Sequence, residues 1–324
     1  MGRRYLITGG AGFIGSNFIR YLLEDDATNQ VTNLDALTYA GVPTTVAELD
    51  GYPGHRFVKG DIRDIGLVNE LMPGHDVVVH FAAESHVDRS IGSPADFVET
   101  NVTGTHVLLE AARAHDVGRF IQVSTDEVYG SIATGFASEG ALLCPSSPYS
   151  ASKAGADLLA LSYHVTYGQD VVVTRCTNNF GPYQFPEKII PFFITTLLEG
   201  GRVPLYGDGL NERDWLHVTD HCAALQILVE AGEPGEIYNI GANNQVTNIT
   251  LTRSILAALG LDESRIDYVE DRPGHDRRYA VDSSKVRALG WQPERAFGER
   301  LLETIDWYRS RDDWWRPLLA GSGR

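Results

Sequence analysis

An apolar strand, a glycine-rich turn and a helix follow one another at the start of the chain, and this order constrains the fold more than any other feature. Residues 4–8 have the strand pattern, and Gly9, Gly12 and Gly15 follow at a G-x-x-G-x-x-G spacing. Apolar residues then recur at helical spacing to about residue 24. Such a turn lets a pyrophosphate approach the backbone, and the helix N-terminus attracts its charge. The segment predicts the nucleotide-binding half of a parallel α/β sheet.

The alternation of strands and helices continues beyond this turn. Further apolar stretches of strand length lie at residues 30–34, 56–60, 77–81, 120–123 and 171–174. Helical patterns separate them, including a long helix expected over 93–115 and another over 149–167. This order predicts an α/β fold with a doubly wound parallel sheet, the Rossmann arrangement.

The pattern loosens after about residue 175, where prolines and glycines interrupt it. Because the chain has 324 residues, it has room for more than one ordinary domain. We expect a nucleotide-binding domain over residues 1–175, which also contributes catalytic residues. A smaller, mixed and mainly substrate-binding lobe is expected over 176–324, with some of its strands and helices returning to the first domain.

Asp35 ends the second predicted strand, twenty residues past Gly15. A carboxylate at this position can accept hydrogen bonds from an adenosine ribose and would repel a 2′-phosphate, so it favours NAD over NADP. Asp61 follows the third predicted strand. It is either a contact to the adenine amine or a turn or helix-capping aspartate, and its spacing alone does not separate the two.

The charge of the chain limits its partners. The formal net charge is −16 and the isoelectric point is about 5.0, which argues against a nucleic-acid surface. An anionic nucleotide substrate would need local cations to overcome this field. No apolar run approaches the roughly 20 residues of a membrane span, so no membrane partner is expected.

The cysteines and the N-terminus indicate the compartment. Cys144, Cys176 and Cys222 are odd in number and form neither a C-x-x-C pair nor a metal-ligand spacing. They predict free thiols in a reducing cytoplasm and no metal site. Arg3 and Arg4 resemble the start of a twin-arginine signal, but no apolar export segment follows them.

Tyr149 and Lys153 lie four residues apart, one turn along the same face of a predicted helix. A free tyrosine has a pKa of about 10, so only about one in a thousand is ionised at neutral pH. A lysine ammonium, together with a positive nicotinamide ring, would stabilise the phenolate. Tyr149 then becomes a credible base for a sugar hydroxyl.

Asp126 and Glu127 follow the end of a predicted strand, where open parallel sheets bind their ligands. Because adjacent like charges push their pKa values apart, one of the two is expected to be protonated and the other ionised. We predict that Asp126 is the acid and Glu127 the base. Oxidation of an alcohol does not need this second pair, but loss of water does. The alternative is an acidic, solvated turn.

By these residues the chain resembles the extended short-chain dehydrogenase/reductases and, among them, the dTDP-glucose 4,6-dehydratases. The resemblance runs essentially end to end, and its matching segments are residues 8–15, 35–41, 82–88, 125–130, 149–153, 178–184, 209–215 and 272–279. The last segment is the most telling, because sister epimerases and UDP-sugar enzymes usually vary there and lack the Asp-Glu pair.

The resemblance implies an enzyme, a hydro-lyase of deoxysugar biosynthesis that converts dTDP-glucose into dTDP-4-keto-6-deoxyglucose and water. The sugar would be oxidised at C4 by tightly held NAD, dehydrated across C5 and C6, and reduced at C6. Tyr149 would take the proton of the C4 hydroxyl, while Thr125 holds that oxygen. Glu127 would remove the C5 proton, and Asp126 would protonate the departing C6 hydroxyl.

The resemblance also implies the binding residues. For NAD they are Gly9, Gly12, Phe13, Ile14, Gly15, Asp35, Leu37, Thr38, Asp61, Ile62, Phe81, Ala82, Ala83, Ser85, Thr100, Tyr149, Lys153 and Asn179. For the nucleotide sugar they are Ser85, Thr125, Asn178, Lys188, Pro204, Leu205, Tyr206, Arg213, Asn248, Arg272 and His275. Three of these, Lys188, Arg213 and Arg272, supply the local cations that the net charge requires.

A homodimer is implied as well, joined through the helices expected over 93–115 and 149–167. Two other functions stay open. One is a different nucleotide-sugar 4,6-dehydratase, such as a GDP-mannose dehydratase, or a 4-epimerase of the same fold. The other is a non-catalytic, NAD-binding sensor, which the presence of Tyr149, Lys153 and Glu127 disfavours.

Overall fold

Twelve strands and thirteen α-helices make up the described part of the chain, residues 2–271 and 276–321 of a computed structural model. The strands are β1 (Arg4–Thr8), β2 (Gln30–Asp35), β3 (His55–Lys59), β4 (Val77–His80), β5 (Arg119–Thr125), β6 (Val171–Cys176), β7 (Asn178–Phe180), β8 (Val203–Tyr206), β9 (Glu212–His217), β10 (Ile237–Ile240), β11 (Gln245–Thr247) and β12 (Ile266–Val269). The helices are α1 (Phe13–Asp25), α2 (Pro43–Leu49), α3 (Ile65–Leu71), α4 (Val87–Gly92), α5 (Pro94–Val98), α6 (Thr105–Ala114), α7 (Pro148–Tyr167), α8 (Ile189–Leu198), α9 (Val218–Ala231), α10 (Asn248–Leu259), α11 (Ser284–Ala288), α12 (Phe297–Ser310) and α13 (Asp312–Gly321).

The main sheet has seven strands, all parallel, in the order β10-β6-β5-β4-β1-β2-β3. Strands such as Val77–His80 are buried along their whole length, as expected for a sheet covered on both faces. On one face Phe18 of α1 packs in the same core as Leu225 of α9. On the other, Leu108 of α6 and Ala160 of α7 share a second core. The predicted doubly wound sheet is confirmed.

The smaller lobe contains two short sheets. One has the order β11-β9-β7 and is mixed, since β11 runs antiparallel to β9 while β7 runs parallel to it. The other pairs β12 with β8. The hydrophobic core of this smaller lobe contains Phe193, Trp215, Ile255 and the adjacent Trp314 and Trp315. Strand β10, although late in the chain, returns to the edge of the main sheet beside β6. The division at residue 175 stays a prediction.

The helix expected over 93–115 is helical but not a regular α-helix. Residues Glu99–Gly104, between α5 and α6, adopt π-helical hydrogen bonding. The hydroxyl of Thr105 donates to the carbonyl oxygen of Asn101 at 2.6 Å, and such a side-chain bond competes with the regular backbone ladder. Hydrophobic periodicity does not distinguish a π-helical turn from an α-helical one, so the prediction of one continuous helix over 93–115 was wrong in this segment.

None of the helices in the described part of the chain is long and apolar enough to cross a membrane.

Candidate active site

A cavity of about 370 Å³ opens at the carboxyl ends of the parallel strands. Its wall comes from the segments that follow β1, β2, β4, β5 and β6, together with one face of α7. It lies where the strand order reverses, between β1 and β4, which is where open α/β sheets bind their ligands. This cavity is the candidate active site.

The glycines of the turn after β1 let neighbouring backbone segments lie very close to it. Gly9 has a φ of +75°, and a Cβ there would lie 2.6 Å from the backbone nitrogen of Ala82. A Cβ on Gly15 would lie 2.4 Å from the carbonyl oxygen of Gly9, so α1 can pack this closely only without a side chain. A Cβ on Gly12 would meet only that same oxygen within 4 Å and would otherwise fill open cavity. Among the described residues no side chain caps α1, so its first N–H groups can receive an anion.

Asp35 lies in the cavity wall at the end of β2, and protein donors already orient its carboxylate. The backbone N–H groups of Ala11 and Leu37 donate to it at 3.0 and 2.7 Å. Burial raises the pKa of Asp35, and these two donors oppose the shift. Carboxylate oxygens have lone pairs for further bonds, so contact with a ribose is compatible with this geometry. Thr38 lines the cavity, whereas the predicted contact Leu37 does not.

Asp61 is a turn residue, in agreement with the second of the two interpretations of its position in the sequence. Its carboxylate accepts from the backbone N–H of Arg63 at 2.8 Å and from the guanidinium of the same residue at 2.7 Å. Hydrogen bonding by Arg63 lowers the pKa of Asp61. Because Asp61 also lines the cavity, the adenine contact stays a prediction. The other predicted NAD contacts in the lining are Phe13, Ile14, Ile62, Phe81, Ala82, Ala83, Ser85, Thr100 and Asn179.

The two adjacent carboxylates lie on a short 3-10 turn, Asp126–Tyr129, directly after β5. The hydroxyl of Thr125 accepts from the N–H of Glu127 at 3.2 Å and lies 3.3 Å from Asp126 Oδ1, to which it donates. Asp126 is only 3% exposed, whereas Glu127 is half-buried. Burial, and then the charge of Glu127, raise the pKa of Asp126 well above its usual range. This shift favours the protonated form of Asp126, and the roles of acid and base for the two carboxyl groups stay a prediction.

Tyr149 and Lys153 line the same cavity from successive turns of α7. A capping box at Ser147 fixes the start of this helix, and Lys153 Nζ donates to the carbonyl oxygen of Val123 on β5 at 2.7 Å. Burial, and then the charge of Glu127, raise the pKa of Tyr149 well above its usual range. The protein alone therefore does not lower this pKa, because burial and the charge of Glu127 outweigh the hydrogen bond from Thr125.

The predicted substrate residues divide into three groups. Ser85, Asn178 and Lys188 line the cavity with Thr125, and Lys188 Nζ donates to the carbonyl oxygen of Ser85 at 3.3 Å. Arg213 is outside the lining, but its charge acts on Asp126, so it lies near the turn Asp126–Tyr129. The second group, outside the lining, consists of Arg213 together with Pro204, Leu205, Tyr206 and Asn248. Arg272 and His275 lie outside the described residues.

Some cavity residues were not predicted. One of them is Glu84, which precedes Ser85 in the sequence. The others in this part of the cavity wall shortly precede Lys188 and are Gln184, Phe185 and Glu187. The signal for two of them was available, because Glu84 falls within the matching segment 82–88 and Gln184 within 178–184. Phe185 and Glu187 follow that second segment and have no motif of their own.

The described residues offer no metal centre. Residues 2–271 and 276–321 contain no group of three or more His, Cys, Asp or Glu side chains that could hold a metal ion. Cys144, Cys176 and Cys222 are all unpaired thiols.

Known proteins of similar sequence identify the family. The family model for GDP-mannose 4,6 dehydratase matches residues 6–304. A dTDP-glucose 4,6-dehydratase from Streptomyces antibioticus is 57% identical over 319 residues, which cover 97% of this chain and 94% of the relative. The chain belongs to the dTDP-glucose 4,6-dehydratase family.

Solved structures agree with this dTDP-glucose 4,6-dehydratase family. DesIV, the dTDP-glucose 4,6-dehydratase of Streptomyces venezuelae solved with NAD bound, has a TM-score of 0.94 at 53% identity, covering 97% of this chain and 99% of DesIV. A UDP-glucose 4-epimerase from Thermotoga maritima has a TM-score of 0.89 at 30% identity, covering 95% and 99%. Because an epimerase shares the fold, the fold alone does not separate the two activities.

Proposed function

We propose that this chain is a dTDP-glucose 4,6-dehydratase that holds NAD and converts dTDP-glucose into dTDP-4-keto-6-deoxyglucose and water. The observation that carries the proposal is the pairing of a buried Asp126, whose pKa burial raises, with a half-buried Glu127 in the cavity that also contains Tyr149. A dehydrogenase or epimerase needs the tyrosine but no separate acid and base, whereas elimination of water needs both.

The residues present fit NAD. The turn at Gly9 and Gly12 leaves room for a pyrophosphate at the uncapped start of α1, and Asp35 is placed at the end of β2 for a ribose. When bound, NAD would supply transient oxidation of the sugar at C4 and return the same electrons at C6. Its positive ring would also favour the Tyr149 phenolate, which burial and the charge of Glu127 disfavour in the protein alone.

The chain's own residues then have distinct tasks. Tyr149 accepts the proton of the C4 hydroxyl, and Thr125 hydrogen-bonds the C4 oxygen. Once C4 is a ketone, the C5–H bond is acidic and Glu127 removes its proton. Asp126 gives its proton to the C6 hydroxyl, which leaves as water. Each positioned proton transfer is worth about 10²–10⁴ in rate.

Local cations offset the acidic net charge of the chain. Lys188 in the cavity wall and Arg213 near the catalytic turn are the described candidates for holding the diphosphate. The guanidinium of Arg213 lies 4.4 Å from the ring centre of Tyr279 and donates to the carbonyl oxygen of Asp276 at 2.9 Å, so its position is fixed.

The test is turnover without added cofactor or reductant. The purified chain is incubated separately with dTDP-glucose, UDP-glucose and GDP-mannose, and the products are read by NMR. A 4-keto-6-deoxy sugar formed from dTDP-glucose is the expected result. A C4 epimer would show an epimerase, preferred turnover of GDP-mannose would show a GDP-mannose dehydratase, and binding of NAD without turnover would show a sensor.

A homodimer joined through α7 and the helical segment from α5 to α6 is part of the proposal. Leu158 and Val165 lie seven residues apart on one face of α7 and are 58% and 83% exposed, and Val98 on α5 is 53% exposed. Such an apolar stripe suits a second copy of the same face. Sedimentation should show a dimer that the change of Leu158 and Val165 to Glu converts to monomer. Leu302→Glu, at an exposed apolar position on α12, should leave the dimer intact.

A cytoplasmic location is also proposed, on the ground that all three thiols are unpaired. Fractionation of cells that produce the chain should place it with cytoplasmic markers, and recovery from an oxidising compartment would contradict the proposal.

A further inference from the structure

A buried ion pair lies behind the catalytic residues of α7. Asp157 is fully buried, Arg175 is 2% exposed, and Arg175 Nε donates to Asp157 Oδ2 at 3.0 Å. Burying two charges costs several kcal/mol per ion, so such a pair is weak evidence for stability by itself. None of the proton transfers of the proposed reaction uses it.

One end of this pair faces Lys153. Asp157 follows Lys153 by four residues on α7, so the two side chains lie on the same face one turn apart. Both are buried, and the carboxylate favours the charged form of the lysine. Burial by itself lowers the pKa of Lys153, and the charge of Asp157 opposes that shift.

Other elements packed around Lys153 do not supply this charge. On β4, burial lowers the pKa of His80 to about 3, so the ring is neutral. On β6, burial raises the pKa of Cys176 to about 12, so the thiol is neutral as well. Arg175, also on β6, has the same sign as the lysine, and on α7 burial raises the pKa of Tyr149 and disfavours a charge there until NAD binds. From β5 the lysine meets the carbonyl oxygen of Val123, which is polar but carries no net charge.

The other end of the pair reaches the catalytic turn. Arg175 Nη1 donates to the hydroxyl of Tyr129 at 2.9 Å, and that hydroxyl donates to Asn239 Oδ1 at 2.8 Å. Tyr129 is 3% exposed and is the last residue of the turn Asp126–Tyr129. The pair therefore connects the helix that bears Lys153 with the turn that bears the acid and the base.

We propose that Asp157 and Arg175 are positioning residues that keep Lys153 charged and hold it at a fixed place relative to the turn of Asp126 and Glu127. The inference rests on the proposed function, because a charged lysine beside Tyr149 is needed for that chemistry. Asp157 supplies the charge, and Arg175 keeps Asp157 ionised and anchors Tyr129.

Asp157→Asn in the holoenzyme removes the carboxylate charge. Since activity requires protonated Lys153, it is lost as the pH rises through the lysine pKa, and the substitution lowers that pKa. The alkaline limb of the kcat profile should therefore move to lower pH by about one unit or more. Asp157→Glu keeps the charge and should keep the limb in place. Asp157→Asn also leaves Arg175 buried without its partner, so the melting temperature should fall.

A double variant separates charge from stability. Asp157→Asn with Arg175→Gln leaves no orphaned charge, so most of the melting temperature should return while the alkaline limb stays displaced. Asp170→Asn is the matched control, because Asp170 pairs with Arg119 at 2.9 Å at the amino ends of β5 and β6, away from the cavity. It should leave the limb unchanged.

Two results would overturn the inference. One is an unmoved alkaline limb in Asp157→Asn, and the other is a limb that returns together with the melting temperature in the double variant, which would show a structural role only. Failure of the unsubstituted enzyme to turn over dTDP-glucose would instead reject the proposed function, and the inference falls with it.

Discussion

At the scale of single residues, the site depends on giving different protonation states to neighbouring groups of the same kind. Asp126 and Glu127 are adjacent in sequence, yet the turn after β5 buries the first and leaves the second half-buried. Burial penalises the charged form, so the pKa of the deeper carboxyl is raised and its protonated form is favoured. The sequence shows directly that two carboxyl residues are adjacent here, but their unequal burial results from the conformation of the turn.

Glu127→Gln should uncouple the two halves of the reaction. The amide retains the size of the side chain but cannot take the C5 proton, so dehydration should slow by about 10²–10⁴ while oxidation at C4 survives. Rapid mixing with dTDP-glucose, followed through the absorbance of the reduced nicotinamide, measures both steps. Glu230→Gln on α9 is the control, and equal loss of both steps in Glu127→Gln would contradict the division of tasks.

Asp126→Asn should lower the activity and raise the stability of the folded chain. Because the pKa of Asp126 is higher in the folded than in the unfolded chain, the folded state holds a proton that the unfolded state releases above about pH 4. Stability is therefore lost as the pH rises from there towards the folded pKa. The amide does not titrate, so the variant should melt at a higher temperature than the parent at neutral and alkaline pH. Melting curves across that range check the sign, and parallel curves for both proteins would refute it.

At the scale of elements, the sheet was predictable because each strand carries its own apolar pattern. The π-helical segment Glu99–Gly104 was not, because a side chain within it forms long-range bonds. Asn101 Oδ1 accepts from the N–H of Glu84 at 2.9 Å, and its Nδ2 donates to the carbonyl of Glu84 at 3.0 Å and to Ser152 Oγ at 2.9 Å. This residue joins the loop after β4 to α7, and a π-helical turn is often found at such functional places.

Asn101→Ala should therefore weaken both the fold and cofactor retention. It leaves the part-buried backbone groups of Glu84 without their Asn101 partner, which costs about 1–3 kcal/mol, and it frees the loop that lines the cavity. The melting temperature and the NAD that remains after dialysis should both fall. Asn69→Ala, at a position whose amide bonds only within α3 and to His115, should change neither by a comparable amount.

At the scale of the whole molecule, contacts between distant parts of the chain escaped prediction. Trp314 Nε1 donates to Thr45 Oγ1 at 2.9 Å across 269 residues, and Glu48 accepts from the hydroxyl of Tyr183 at 2.7 Å and from Arg311 at 2.6 Å. No local period encodes such pairs. The same holds for the substrate lobe, where Leu205, a predicted substrate contact, packs its side chain in the core. More of the predicted NAD residues lie in the cavity lining because they follow strand ends directly.

These contacts fasten α13 to α2, which directly follows the cavity residues Thr38, Ala40 and Gly41. Thr45→Val keeps the shape of the side chain but leaves the buried Trp314 N–H without an acceptor, which costs about 1–3 kcal/mol. The loop before α2 should then open more often, so bound NAD should exchange faster with labelled NAD while kcat of the loaded enzyme stays near that of the parent. Thr28→Val, at an exposed position, is the control. A lower melting temperature with unchanged exchange would mean that the C-terminal helix stabilises the fold without controlling cofactor release.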